Sequence, residues 1–272
     1  MKRVHLDPVR GYRDRCVPRE GECRFRIVVG ETDLQVTAAA PLSSAFIDAM
    51  TEEVRRLRGR LEAWIVLHPE FRDSLVPVPL REPAGLVPEI VRRMSAAALA
   101  AGVGPFAAVA GAIAQLLVER FAPQSPDLIV ENGGDIYMAS RRDRVVGLLP
   151  DPEAGVTLGL KIAASGCPTA LCSSSATIGH SLSFGRGELA LVRSPDGAFA
   201  DALATALGNR LHGPDDVEKV IDLARGFASS GLVGVYVQCG SAVGIWGDME
   251  LTVVENVEES SSGGVPEGKI RI

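Results

Sequence analysis

Residues 200–206, Ala-Asp-Ala-Leu-Ala-Thr-Ala, carry the pattern on which the fold assignment of this chain depends. The segment consists largely of strong helix formers, and Asp201 and Thr205 lie four residues apart in it. At that spacing two side chains lie on one face of a helix, one turn apart. A carboxylate and a hydroxyl are hard oxygen ligands, which favours Mg²⁺ or Ca²⁺ over zinc. A purely structural explanation is also open, because the helix dipole favours an early Asp and a helical Thr can bond back to a carbonyl.

A glycine turn upstream provides a second pattern. Residues 131–136, Glu-Asn-Gly-Gly-Asp-Ile, continue a short apolar strand predicted over residues 128–131. The turn presents backbone N–H groups that no Cβ shields, and together with the helix it indicates a nucleotide-like ligand held with a divalent metal. The alternative is an ordinary hairpin, since Asn-Gly is the strongest short signal for a two-residue β-turn.

Composition narrows the classes of function. The chain has 272 residues, 46% hydrophobic and 23% charged, as in a globular protein with an ample core. A formal net charge of −6 gives no electrostatic support to a nucleic-acid partner. The N-terminus lacks a secretory signal, and glycines and a proline interrupt the longest apolar stretch, residues 95–118, so we expect no membrane span and a cytoplasmic location. The five cysteines lack Cys-x-x-Cys spacing, which indicates free thiols rather than a zinc site.

Hydrophobic periodicity predicts strands in hairpins and helices in pairs. The predicted strands cover residues 12–17, 23–29, 33–38, 128–131, 136–140, 145–149, 156–163, 188–193, 232–238 and 243–254, and the predicted helices cover residues 44–68, 88–101, 105–121, 198–211 and 215–229. This order is typical of the α+β class, with antiparallel sheets flanked by helices. We expect one domain over residues 1–255 and a disordered tail over residues 256–272.

A third segment, residues 167–181, combines two cysteines, a run of serines and a histidine. Cys172 and His180 are eight residues apart, a separation that a folded loop can close. A positive neighbour is what converts a thiol into a reactive thiolate, so these two residues form the candidate catalytic pair. The alternative is that Cys172 is a small buried hydrophobe, as free cysteines usually are.

The glycine turn and the Asp-Thr helix, in this order, resemble motifs of the ApbE superfamily, the FAD:protein FMN transferases. The resemblance covers most of residues 10–255 and implies an ApbE-like α+β fold. It implies that Asp201 and Thr205 bind Mg²⁺. It also implies a flavin site at the turn and at the serines that stand in place of the family's Thr-Ser-Gly segment: Asn132, Gly133, Gly134, Asp135, Ser173, Ser174 and Ser175.

The chain departs from the transferases after the serines. Where they carry His-Ile-Ile-Asp-Pro-x-Thr-Gly, this chain has His-Ser-Leu-Ser-Phe-Gly from His180 onward, so the Asp and Pro have no counterpart. The chain is most similar to a shorter, uncharacterised branch of the superfamily. That branch is marked by Val-Gly-Pro-x-Ala-Ala-Val-Ala-Gly, here residues 103–111, and by Cys-x-Ser-Ser-x-x-x-Gly-His-Ser, here residues 172–181.

Three functions follow from these observations. The first is binding of a flavin nucleotide (FAD or FMN) or a similar small-molecule ligand, with Mg²⁺, in a cleft between the turn, residues 172–181 and the helix. The second is a persulfide carrier in homocysteine or cysteine biosynthesis, in which Cys172 carries sulfur and His180 favours the thiolate. The resemblance implies the pathway, because some archaeal and anaerobic bacterial members of this branch are associated with it. The third is a non-catalytic assembly protein. If the protein is an enzyme, it is a transferase. The small-residue helices around residues 102–111 pack either in the monomer core or across a homodimer.

Overall fold

The computed structural model describes residues 19–148, 156–175 and 189–255 of the chain. Its strands are β1 (Glu22–Val29), β2 (Thr32–Ala39), β3 (Leu128–Asn132), β4 (Asp135–Ala139), β5 (Arg144–Leu148), β6 (Val156–Ile162), β7 (Thr169–Ser174), β8 (Leu189–Ser194), β9 (Gly234–Cys239), β10 (Ala242–Gly247) and β11 (Glu250–Glu255). Eight of them form one antiparallel sheet in the order β1-β2-β3-β4-β7-β8-β9-β10. A second antiparallel sheet has the order β11-β6-β5.

Helices cover one face of the large sheet. They are α1 (Ser44–Leu67), α2 (Glu70–Asp73), α3 (Glu89–Ala101), α4 (Val109–Phe121), α5 (Gly197–Gly208) and α6 (Val217–Arg225). α1 begins where the Ser43 side chain accepts a hydrogen bond from the Phe46 N–H, and α5 begins where Asp196 does the same for Phe199. The buried residues of α1 recur at helical spacing, which turns one stripe of the helix toward the core: Phe46, Met50, Val54, Leu57, Leu61 and Trp64.

The large sheet lies between two hydrophobic cores. In β8, Ala190 and Val192 face the helices, whereas Leu189 and Leu191 face the small sheet. Side chains alternate between the two faces of a strand, so a strand buried on both faces is apolar throughout. This explains why the central strands lack polar alternation: both of their faces are covered.

The α+β class is confirmed, and most predicted elements lie within a few residues of the observed ones. Strand β7 is not among the predicted elements, although residues Thr169–Ser174 form it. The predicted arm over residues 243–254 divides at Gly247, after which β11 joins the other sheet. Gly247 has a φ of +82°, and a Cβ there would lie 2.2 Å from the carbonyl oxygen of Val233. The predicted strand over residues 12–17 and the predicted tail lie outside the described residues.

The apolar helices are part of the fold's interior. Within the described ranges, no single helix has both the length and the apolar composition needed to span a membrane. Helices at Glu89–Ala101 and Pro105–Phe121 meet those criteria only when taken together, and the chain bends by 106° between them. The buried residues of α4 belong largely to the core beneath the helices. One domain over residues 1–255 stays a prediction.

Candidate functional site

The glycine turn is a tight hairpin between β3 and β4. Asn132 pairs with Asp135 across it, and both Gly133 (φ +72°) and Gly134 (φ +111°) have the positive φ that glycine adopts without strain. The Gly134 N–H donates to a carboxylate oxygen of Glu131 at 2.9 Å. The prediction that Asn-Gly forms a hairpin turn is therefore confirmed. Any further role of the turn depends on the residues that surround it.

The turn lies against the start of α4. The buried side chain of Asn132 donates from Nδ2 to the carbonyl oxygen of Ala110, at 3.3 Å. Asn132 and Asp135 lie on the same face of the sheet as Val130 and Tyr137, which is the face covered by helices. The turn therefore presents its two polar neighbours toward the first turn of α4.

α4 and α5 touch backbone to backbone beside the turn. A Cβ at Gly111 of α4 would lie 2.1 Å from the carbonyl oxygen of Gly197, the first residue of α5. Asp201 lies one turn further along α5, and its Oδ2 accepts a hydrogen bond from the Gly111 N–H at 2.9 Å. Asp201 thus places its carboxylate at the N-terminus of a neighbouring helix, where a negative charge is favoured.

Asp201 and Asp135 form a buried acidic pair. Asp201 is 8% exposed and Asp135 is 7% exposed. Burial raises the pKa of Asp201 well above its ordinary value, and the charge of Asp135 raises it further, against the opposing effect of the Gly111 and Ala110 amides. One oxygen of Asp135 accepts from the Ser173 N–H at 3.1 Å. Burial and the neighbouring Asp135 therefore both favour the neutral form of the Asp201 carboxyl group.

Thr205 lies one turn beyond Asp201 on the same face of α5, as the four-residue spacing predicted. Its side chain is half-buried. Near the end of α5, a Cβ at Gly208 would lie 2.9 Å from the Ser174 hydroxyl, so the helix passes closely over β7. Strand β7 and helix α5 therefore lie close together, and the predicted cleft between the turn, residues 172–181 and this helix stays a prediction.

The strand geometry of β7 separates the serines. Ser174 shares the helix-covered face with Cys172, whereas Ser173 shares the opposite face with Leu171. Accordingly, the Ser173 hydroxyl lies 3.4 Å from where a Gly134 Cβ would be, on the far side of the turn. The half-buried Ser175 follows the end of the strand. The backbone N–H of Ser173 donates to Asp135 of the acidic pair.

Cys172 has the surroundings of a core thiol. Its exposure is 0%, and its sulfur lies 3.7 Å from the Gly197 carbonyl oxygen, a contact in which the thiol is the donor. Burial raises the pKa of Cys172 well above its ordinary value, and the carboxylates of Asp135 and Asp201 raise it further. All three influences oppose a thiolate, which argues against a nucleophilic role. His180 lies outside the described residues, so the predicted thiol–imidazole pair stays a prediction.

The donor set suits a hard cation more than a soft one. In the part of the chain that the structure describes, there is no group of three or more His, Cys, Asp and Glu side chains that could hold a metal. Carboxylates of Asp135 and Asp201 with the Thr205 hydroxyl are oxygen donors of the kind Mg²⁺ takes, and Mg²⁺ completes its shell with water and phosphate oxygens. The residues present therefore fit Mg²⁺ bound together with a phosphorylated ligand.

The residues that hold α4 and α5 together were not predicted from the sequence. Gln115 of α4 is buried and accepts the Gly197 N–H at its Oε1, 2.8 Å away. Gly111 provides both the close approach and the N–H that Asp201 binds. The sequence signals were a glycine and a glutamine within the apolar part of α4, residues 109–118.

The fold and the site together define an α+β protein with a buried acidic pair between a glycine turn and two crossing helices. Residues 14–242 match a family described as AbpE bacteria. The chain belongs to this family, which confirms the ApbE-like assignment made from the motifs. Similar proteins carry the name UPF0280 protein. The one from Methanocella arvoryzae is 38% identical over 225 residues, 82% of this chain and 85% of its own. The one from Archaeoglobus fulgidus is 35% identical over 243 residues, 87% of this chain and 97% of its own.

Two solved structures are more distant. The Flavin Transferase ApbE from Vibrio cholerae has a TM-score of 0.48 and 13% identity, over 83% of this chain and 96% of that one. The Pseudomonas stutzeri flavinyl transferase ApbE, apo form, has a TM-score of 0.46 and 13% identity, over 83% and 94% of the two chains. Similarities at this level do not bear on what the present chain binds.

Proposed function

We propose that this protein binds a flavin nucleotide or a similar nucleotide, together with Mg²⁺, at the acidic pair beside the glycine turn. The observation that carries the proposal is the placement of Asp201 and Asp135, two buried acidic residues of which the charge of Asp135 raises the pKa of Asp201. A divalent cation offsets that buried charge, and its remaining positions accept phosphate oxygens. The family membership and the order of the two motifs support the same ligand class.

Each residue has a defined part in this proposal. Asp201 and Thr205 hold Mg²⁺ from one face of α5, and Asp135 contributes negative charge from the turn. When bound, the metal screens the charge of the phosphates. Neither residue of the Gly133-Gly134 turn has a side chain of its own, which lets a phosphate approach its backbone, although the Gly134 N–H is bonded to the Glu131 carboxylate. Ser174 provides a hydroxyl on the helix-covered face of β7, the face of the acidic pair, whereas the Ser173 hydroxyl lies on the other face. Asn132 holds the turn against α4 through its bond to Ala110.

The test is calorimetric titration of FMN and FAD into the full chain, with and without Mg²⁺. We expect binding that weakens when EDTA removes the metal. Thr205→Val removes the hydroxyl and keeps the shape, so Mg²⁺-dependent affinity falls about tenfold, the effect of one lost interaction of roughly 1.4 kcal/mol. Thr51→Val is the matched control, because Thr51 is also a half-buried helical threonine but lies on α1, where it bonds to the Ile47 carbonyl.

Three outcomes contradict the proposal. The first is no binding of either nucleotide at millimolar concentration in the presence of Mg²⁺. The second is binding that EDTA leaves unchanged. The third is an equal loss of affinity in Thr205→Val and Thr51→Val, since a general effect on the helices, rather than a metal ligand, then explains it.

Two further sequence-based expectations are kept as proposals. The first is a homodimer, which light scattering from the purified chain tests directly. The second is a cytoplasmic location, which fractionation of the source cells tests. We propose no sulfur-carrier function, because Cys172 is enclosed in the core beneath α5.

A further inference from the structure

Strand β10 forms one edge of the large sheet, and its outer side has no strand partner among the described residues. The strand at the other edge, β1, carries the charges of Glu22, Arg24 and Arg26. β10 has the sequence Ala-Val-Gly-Ile-Trp-Gly and contains no charged residue. Edge strands that stay unpaired normally carry charges or prolines that oppose pairing, so the uncharged edge of β10 indicates a strand that pairs.

The hairpin between β9 and β10 decides which backbone groups of β10 point outward. Cys239 and Ala242 flank a two-residue turn and pair with each other, so they exchange both of their hydrogen bonds. Because hydrogen-bonded and non-hydrogen-bonded pairs alternate along an antiparallel ladder, Gly244 also bonds toward β9. The N–H and C=O groups of Val243 and Ile245 therefore point away from the sheet.

The same two residues have the exposed apolar side chains of the strand. Val243 is 50% exposed and Ile245 is 42% exposed. Ile245 lies opposite Tyr236, whose side chain belongs to the core between the two sheets, so Val243 and Ile245 lie on the face of the small sheet. On the other face Gly244 is covered by α6, because a Cβ there would lie 2.6 Å from Cγ1 of Ile221.

Two copies of β10 are complementary to each other when they pair antiparallel about Gly244. In this register each Val243 lies opposite Ile245 of the second copy. These are the residues whose N–H and C=O groups point outward, so the two pairs exchange about four backbone hydrogen bonds. Their side chains form apolar cross-strand pairs. On the helix-covered face, the small Ala242 lies opposite the large Trp246 of the second copy.

Helix α6, which covers Gly244, adds charge complementarity to this pairing. Its first turn contains Glu218 and its last turn contains Arg225. These two residues are seven positions apart and therefore share one face of the helix. A two-fold axis through the Gly244 pair sets a helix that lies flat on the sheet antiparallel to its copy. The acidic start of each α6 is thus directed toward the basic end of the other.

We propose that β10 is the interface of a homodimer, in which two chains pair their β10 strands antiparallel about Gly244 and join their large sheets into one. The partner is a second copy of this chain, and the contact is isologous because the same strand serves both copies. The inference rests on the homodimer proposed above and names its interface. It does not involve the nucleotide site.

The first measurement is the mass of the full chain by analytical ultracentrifugation, from micromolar to millimolar concentration. We expect an equilibrium between monomer and dimer. Ile245→Lys raises the dissociation constant about tenfold or more, because each copy then places a charge against an apolar residue and the two-fold axis doubles the effect. Val28→Lys is the matched control, since Val28 is 56% exposed on β1 at the other edge, and it leaves the constant unchanged.

A pair of introduced charges tests the register. Val243→Lys alone and Ile245→Glu alone each weaken the dimer. The double variant returns the dissociation constant to within about threefold of the wild type, because the introduced lysine of each copy lies opposite the introduced glutamate of the other. Amide hydrogen exchange of the wild type provides an independent measurement. The Val243 and Ile245 amides exchange more slowly as the dimer forms, whereas the Gly244 amide, bonded to β9 in both states, is protected throughout.

The outcomes separate the interface from the dimer itself. A chain that stays monomeric up to millimolar concentration refutes the homodimer and this interface together. A dimer that Ile245→Lys weakens no more than Val28→Lys does refutes the interface alone. A double variant that dimerises more weakly than both single variants overturns the proposed register. Nucleotide titration of the same samples reports on the other site independently.

Discussion

Gly111→Ala tests the crossing of α4 and α5 on which the candidate site depends. A Cβ at this position would lie 2.1 Å from the Gly197 carbonyl oxygen, 2.7 Å from the Gly197 carbonyl carbon and 2.9 Å from the Asp201 Cβ. Ordinary Cβ contacts are 3.4–4 Å, so the two helices have to separate by about 1 Å or more. That separation also lengthens the hydrogen bond from the Gly111 N–H to Asp201.

The expected magnitude follows from three contributions. Overpacking costs about 1–3 kcal/mol. Loss of a hydrogen bond to a charged group costs about 1.5–3 kcal/mol. The change from glycine to alanine in a helix returns about 1 kcal/mol. The free energy of unfolding therefore falls by about 3 kcal/mol, and Tm falls by roughly 6–12 °C for a chain of this size.

The assay is urea and thermal unfolding of Gly111→Ala beside a matched control, Gly59→Ala. Gly59 lies in α1, is exposed, and has no atom within 4 Å of a built Cβ. The same substitution there raises stability by about 0.5–1 kcal/mol, because only the helix propensity changes. A Gly111→Ala protein that is as stable as the wild type, or stabilised like Gly59→Ala, refutes the described contact between the helices.

Four further predictions concern the buried charges and the thiol. Burial and Asp135 raise the pKa of Asp201 in the folded state. Without Mg²⁺, the free energy of unfolding is therefore highest below the pKa of Asp201 in the unfolded chain and falls as pH rises through its pKa in the folded protein. In Asp201→Asn this fall is smaller, and urea unfolding between pH 4 and pH 8 measures the pH dependence of both proteins. Added Mg²⁺ stabilises the wild type at neutral pH and not Asp201→Asn, and equal stabilisation of both contradicts the metal role. Arg144→Met removes the buried guanidinium that Glu22 and Asp127 share, although Asp127 keeps a 3.6 Å contact to Arg141, and lowers the free energy of unfolding by about 3–5 kcal/mol. Removal of the exposed Arg26–Asp33 pair costs under about 1 kcal/mol. In the native protein iodoacetamide labels Cys172 more slowly than the half-buried Cys167, as measured by mass spectrometry; equal rates contradict the enclosure of Cys172.

Local signals were sufficient for most elements of the fold. The stripe of α1 and the boundaries of α3 follow from apolar spacing and from Pro88 and Gly102 at the two ends. Strand β7 was not predicted from the sequence, because its serines and Cys172 have no marked β propensity. Its strand conformation comes from pairing with β4 and β8. The break at Gly247 in the strand predicted over residues 243–254 was also not predicted, since no local pattern indicates that β10 and β11 join different sheets.

The candidate site shows the same contrast between features set by the local sequence and features set by tertiary packing. The sequence by itself determined that Asp201 and Thr205 share a helix face and that Asn132 to Asp135 form a tight turn, because helix periodicity and the freedom of glycine are local properties. Only the tertiary structure decided that Asp201 reaches the first turn of α4, that Asp135 lies near enough to raise its pKa, and that Ser173 and Cys172 face opposite sides of a strand. The burial of a residue, the effect of one charge on another and the side of a strand that a side chain occupies depend on which distant segments pack together. The segments that pack at this site lie up to 90 residues apart in the chain.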